Sequence, residues 1–147
     1  MRLEPSKGQE MFERSFKVIF LGGYATGKTS LINRFLGNNF SLEYIPSVKT
    51  SVSVKKFIFK NYALKTSFWD REGGSELAED FKNYCANAQA AIAVFDICRR
   101  SSLSDAEIFL KAMFKFSKPI VWLVGNKIDL KKEEWFHDGK LKKRQGN

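Results

Sequence analysis

Gly22 to Thr29 reads GGYATGKT, and no other stretch narrows the possible folds as sharply. The pattern G-x-x-x-x-G-K-[ST] carries meaning only where a strand runs into it and a helix leaves it. Both conditions hold. FKVIFL, Phe16 to Leu21, is a short apolar run that predicts a buried strand. From Lys28 onward Leu31, Ile32, Phe35 and Leu36 fall on one helical face, and Gly37 is placed to end the helix. Glycines let the backbone curl around a phosphate chain with its N–H groups pointing inward, and the helix N-terminus adds a potential that favours anions. Lys28 is positioned to reach β- and γ-phosphates, and the Thr29 hydroxyl to ligate Mg²⁺. The loop alone leaves ATP and GTP open.

The rest of the chain predicts strands alternating with helices. Residues 48–59 and 63–69 read as a hairpin turning at Asn61 and Tyr62. Residues 76–88 are helical in pattern, and AAIAVFDI at 90–97 predicts a second buried strand. Ser104 and Glu107 have the spacing of a capping box, which predicts a helix start there. That helix shows Phe109, Ala112, Met113 and Phe116 on one face and stops by Pro119. PIVWLVG at 119–125 predicts a third buried strand. The alternation predicts an α/β fold around a mainly parallel sheet. At 147 residues and 44% hydrophobic content, the chain suits one domain with an ordinary core. We expect a flexible lead over 1–15, the folded domain over 16–130, and a basic, weakly ordered tail over 131–147.

The formal net charge of +9 favours anionic partners. No aromatic-basic stacking motif accompanies it, so nucleic acid is not expected as a partner. Cys85 and Cys98 have neither metal nor disulfide-framework spacing and read as reduced core residues of a cytoplasmic protein. No apolar run reaches the ~18 residues of a membrane-spanning helix. No cysteine stands near the C-terminus for prenylation, so basic side chains would give at most weak, salt-sensitive membrane contact, peripheral to internal membranes. The lone histidine, His137, reads as a surface residue.

GNKID, Gly125 to Asp129, follows the third strand, and ligands bind at the C-terminal ends of strands in open α/β sheets. A carboxylate at Asp129 can accept hydrogen bonds from the guanine N1–H and exocyclic amine. Adenine lacks that donor pair and would leave the carboxylate unpaired. The Lys127 stem can lie over a base, and Asn126 can tie this segment to the phosphate loop. Alone these residues could be a turn; beside the phosphate loop they favour guanine.

Together FKVIFLGGYATGKTSLINRF, FWD..G and LVGNKIDL resemble the Ras-like small GTPases, most nearly the Rab branch, over about Phe16 to Leu130. The resemblance implies a P-loop three-layer sandwich, its mainly parallel sheet carrying one antiparallel edge strand. The last strand and helix of the family have no counterpart here. It also implies a molecular switch that binds Mg²⁺ and GTP or GDP in vesicle traffic or signalling. By resemblance Ala25, Thr26, Gly27, Lys28, Thr29 and Ser30 surround the phosphates. Phe40 packs on the guanine and Tyr44 covers the phosphates. Ser47 and Asp70 complete the Mg²⁺ shell with Thr29. The Gly73 N–H meets the γ-phosphate, and Lys28 stabilises charge developing there. Tyr44 to Ser47 and Gly73 to Glu76 would be the surfaces for effector and exchange proteins.

The departures are as specific. Ser47 replaces Thr, and Arg71-Glu72 replaces Thr-Ala. Gly74 stands where the family places the Gln that aims the attacking water, and Tyr24 brings a ring into the phosphate loop. Both predict slow hydrolysis. The alternative, which the missing last strand and helix favour, is a GTP-binding relative that does not hydrolyse, or a nucleotide-free scaffold. For the uncovered sheet three readings stay open: the chain is a splice product or fragment, Trp135 and Phe136 patch the surface, or a neighbouring chain covers it.

Overall fold

The apolar run at 16–21 lies at the centre of a sheet, as a strand buried on both faces must. The computed structural model describes residues 12–37, 41–45, 50–71 and 79–130. Its elements in chain order are β1 (Phe12–Leu21), α1 (Lys28–Leu36), β2 (Ser41–Ile45), β3 (Thr50–Ile58) and β4 (Tyr62–Arg71). There follow α2 (Glu79–Cys85), β5 (Ala90–Asp96), α3 (Arg100–Met113), β6 (Ile120–Asn126) and a 3₁₀ turn (Ile128–Leu130). One six-stranded sheet has the order β2-β3-β4-β1-β5-β6. β4, β1, β5 and β6 run parallel, and β3 runs antiparallel to β2 and β4.

Alternation along β1 divides the core in two. Val18 and Phe20 pack with Ile32 and Leu36 of α1, whereas Ile19 and Leu21 pack with Phe81, Ala106 and Met113 of α2 and α3. This is the three-layer α/β architecture the sequence implies. Among the described residues no helix is long and apolar enough to cross a membrane.

The Tyr84 hydroxyl bridges β1 and β4 inside the second layer. It accepts the Phe20 N–H at 3.0 Å and lies 2.7 Å from the Phe20 carbonyl and 2.8 Å from the Trp69 carbonyl. Burial raises its pKa well above the ordinary tyrosine value, so it stays a donor. Tyr84→Phe removes these bonds and deprives the Phe20 N–H of that acceptor. The expected loss is about 1–3 kcal/mol, read as a lower urea midpoint at unchanged slope.

Several expectations are corrected. β1 begins at Phe12, within the predicted flexible lead, because Phe12–Phe20 pairs in register with Tyr62–Asp70. Backbone pairing orders that polar stretch although its first four side chains are exposed. β2 was not predicted; its backbone pairs with β3, with Tyr44 opposite Ser51. The proposed capping box lies inside α3, which starts at Arg100 without a side-chain cap. β6 was expected to be buried, yet Ile120, Trp122 and Leu123 are each more than half exposed. β5 is its one strand partner among the described residues, and an apolar run does not say how many neighbours will arrive.

Cys85 is buried as expected, but Cys98 is exposed in the turn after β5. Burial pushes the Cys85 thiol up to about 12. Iodoacetamide at mildly alkaline pH is therefore expected to label Cys98 in the native protein and Cys85 only after unfolding. Equal labelling of both by peptide mass mapping would contradict this packing.

Candidate functional site

The turn from β1 into α1 depends on glycine at two points. Gly22 has φ 137°, and a Cβ there would meet the Val94 carbonyl oxygen at 2.2 Å. Gly27 has φ 95°, and its Cβ would meet Asn126 Nδ2 at 2.3 Å. Ala25 also takes a left-handed φ of 56°. Thr26 is fully buried and its hydroxyl donates to the Gly23 carbonyl at 3.2 Å, closing the loop on itself. The loop walls a cavity of about 400 Å³, lined by Tyr24 through Ser30 and by Arg71. That size suits a small-molecule ligand.

Lys28 is 8% exposed, and its Nζ donates to the Gly22 and Gly23 carbonyls at 3.0 and 2.9 Å. Burial lowers its pKa, against the opposing pull of Asp70, and Arg99 adds to the lowering. Thr29 Oγ1, at the start of α1, donates to Asp70 Oδ2 near the end of β4. A hydroxyl and a carboxylate oxygen therefore meet beside the cavity. These are hard oxygen donors of the kind Mg²⁺ takes when substrate phosphates and water complete its shell. No group of three or more His, Cys, Asp or Glu gathers among the described residues.

The segment after β6 reaches the same loop. Asn126 Nδ2 donates to the Thr26 carbonyl at 2.9 Å. Lys127 has φ 67°, and its Nζ donates to the Ala25 carbonyl at 2.7 Å and to Asp96 Oδ2 at 2.8 Å. The hydrogen bond from Lys127 holds the Asp96 carboxyl below its ordinary pKa despite some desolvation. Since the folded value is the lower one, this contribution is present above the ordinary aspartate range and is lost as pH falls through the folded pKa. Asp129 lies in the 3₁₀ turn with an exposed side chain.

Ala25 to Ser30, Asp70, Asn126 and Lys127 are thus gathered at the C-terminal ends of the parallel strands. Phe40, Ser47, Gly73 and Gly74 lie outside the described residues, as do Glu72, Glu76 and His137. The Tyr24 ring, expected to crowd the loop, is 81% exposed at the cavity mouth. Two neighbours were not read as site residues. Asp96 ends β5, where its strand-end position was the available signal. Arg99 Nη2 donates to the Tyr24 carbonyl, with no local pattern to announce it. Arg71 is buried on the cavity wall.

The Ras family profile matches residues 17–146. The chain is 29% identical over 127 residues to the Ras-related protein RABA1c of Arabidopsis thaliana, covering 85% of this chain and 59% of the relative. It is 34% identical over 129 residues to the mouse (Mus musculus) Ras-related protein Rab-17, covering 84% and 60%. Identity to Arabidopsis thaliana RABC1 is 32% over 132 residues, covering 87% and 62%. The chain therefore spans less than two thirds of the length of these relatives. With a profile match running through the phosphate loop, Asp70 and the segment after β6, the chain belongs to the Ras family.

Proposed function

We propose that this protein binds Mg-GTP and Mg-GDP as a molecular switch and turns GTP over slowly. The observation that carries the reading is the pair of bonds from Asn126 and Lys127 to the phosphate-loop carbonyls. They tie the segment that would read guanine to the loop that would cradle the phosphates. The loop N–H groups and Lys28 would hold the β- and γ-phosphates, and Asp129 would accept from the guanine edge. Thr29, Asp70 and Ser47 would hold Mg²⁺, which would neutralise phosphate charge when bound. Loss of the γ-phosphate would release Tyr44 to Ser47 and Gly73 to Glu76, the surfaces for effector and exchange proteins. Work in vesicle traffic, in the cytoplasm and at the edge of internal membranes, is part of the same proposal.

Isothermal titration with Mg-GTP, Mg-GDP and Mg-ATP tests binding. Guanine nucleotides are expected to bind and ATP to bind at least about 100-fold more weakly, from the donor pair adenine lacks. Equal affinity for all three, or no heat from any, would sink the reading. Gly74, in place of a Gln, favours a second reading of GTP binding without turnover. Single-turnover phosphate release decides between the two.

A further inference from the structure

Among the described residues, Arg71 is the one lining the 400 Å³ cavity that comes from outside the phosphate loop and the start of α1. It is 8% exposed. Its Nη2 donates to Asp80 Oδ1 of α2 at 2.9 Å, and its guanidinium lies 5.6 Å from the centroid of the Phe81 ring. Its Nε and Nη1 are buried with no hydrogen-bond partner among the described residues. A guanidinium offers its donors as a planar fork that matches carboxylate or phosphate oxygens two at a time. Here one donor, Nη2, is used, and Nε and Nη1 have no acceptor among the described residues, a costly state for a buried cation. The same side chain borders a void of about 10 Å³ beside Gly22 and Lys28, too small for an added protein group. An acceptor seated in the larger cavity, which Arg71 also lines, would relieve it.

We propose that Arg71 is a ligand for the terminal phosphate of the bound nucleotide, its guanidinium turning from Asp80 toward the γ-phosphate oxygens. This rests on the guanine-nucleotide reading above. A diphosphate ends short of that position, so Arg71 discriminates between the two nucleotide states. Asp80 is its resting partner, and the exchange couples α2 to the nucleotide. The family's usual Thr at this position carries no charge, so this function is peculiar to the Arg here.

Titration of wild type, Arg71→Met and Asp80→Asn with a non-hydrolysable Mg-GTP analogue and with Mg-GDP tests it, beside urea unfolding of each nucleotide-free protein. Arg71→Met is expected to lose about 10-fold or more in analogue affinity while GDP affinity stays within about 2-fold, the scale of one lost charge-assisted contact. Asp80→Asn, which keeps Arg71 and frees it, is expected to raise the preference for the analogue over GDP. If Arg71 only anchors α2, both variants lose stability and both nucleotides weaken by the same factor, and the proposal fails. It fails equally if neither variant changes the preference. Should Arg71→Met not fold, an unchanged preference in Asp80→Asn overturns it. Wild type that binds neither nucleotide overturns the functional reading and this proposal together. Wild type that binds both, with no change in either variant, overturns this proposal alone.

Discussion

Lys28→Met is expected to weaken Mg-GTP and Mg-GDP binding by at least about 100-fold, the scale of losing two charge-assisted contacts to phosphate. The same substitution should leave folding of the nucleotide-free protein within about 1 kcal/mol of wild type. The two effects part because Lys28 is charged, 8% exposed and bonded to loop carbonyls. Burial lowers its pKa, so the nucleotide-free fold bears a cost for keeping the ammonium at neutral pH. Sign and window follow from that direction. The folded chain releases this proton more readily than the unfolded chain, so its burden on stability eases as pH rises from the folded pKa toward the ordinary lysine value. Met carries similar length without that burden. It loses the bonds to the Gly22 and Gly23 carbonyls, but Lys28 itself lines the 400 Å³ cavity, from which water can enter the space the ammonium leaves. Titration calorimetry and urea unfolding on one preparation check both halves. Retained affinity would remove Lys28 from the site; a large stability loss would make it a structural lysine.

Gly22→Ala is expected to cost about 3–5 kcal/mol of folding stability or to prevent folding. The strain of a side chain at its φ of 137° is roughly 1–3 kcal/mol. The added Cβ would also meet the Val94 carbonyl oxygen at 2.2 Å, and that atom is backbone in the central β5 strand. No rotamer relieves such a contact; β1 and β5 would have to separate, although Val18–Leu21 pairs with Ala90–Ala93. Gly37→Ala is the control, because a Cβ there meets nothing within 4 Å. It shares a positive φ, 62°, with ψ −135°, and so retains only the conformational part of the cost, roughly 1–3 kcal/mol. Similar urea midpoints for the two variants would remove the steric argument. A Gly22→Ala protein as stable as wild type would show that the loop adopts another path.

Legibility in the sequence followed locality. The helix after the phosphate loop was readable because Ile32 and Leu36, one turn apart, are both buried against β1. The start of α3 was misread because S-x-x-E spacing also occurs inside helices. Ser104 is exposed, whereas Ser102, two residues earlier, is buried, accepts the Asp96 N–H at 2.9 Å and donates to a nearby carbonyl. That partner comes from a different element, and no window on the helix contains it. Phe12–Ser15 looked flexible because strand pairing with β4 leaves no apolar period behind. Cys98 looked buried because its neighbours in sequence are apolar, but it lies just beyond the strand end.

The sequence by itself determined the phosphate loop, the carboxylate at Asp70, the segment at Asn126 to Asp129, and the order of strands and helices that carries them. Each is written in contiguous residues, where a left-handed glycine, a helix start or an apolar run has a local physical cause. Tertiary structure alone decided that, among the described residues, Arg71 is buried with unmet donors and Asp80 for a partner, Tyr84 bridges two strands, and β6 stands exposed at the sheet edge. Burial and unmet hydrogen bonds depend on which distant elements arrive beside a residue, and none of those neighbours can be read from the residues on either side of it.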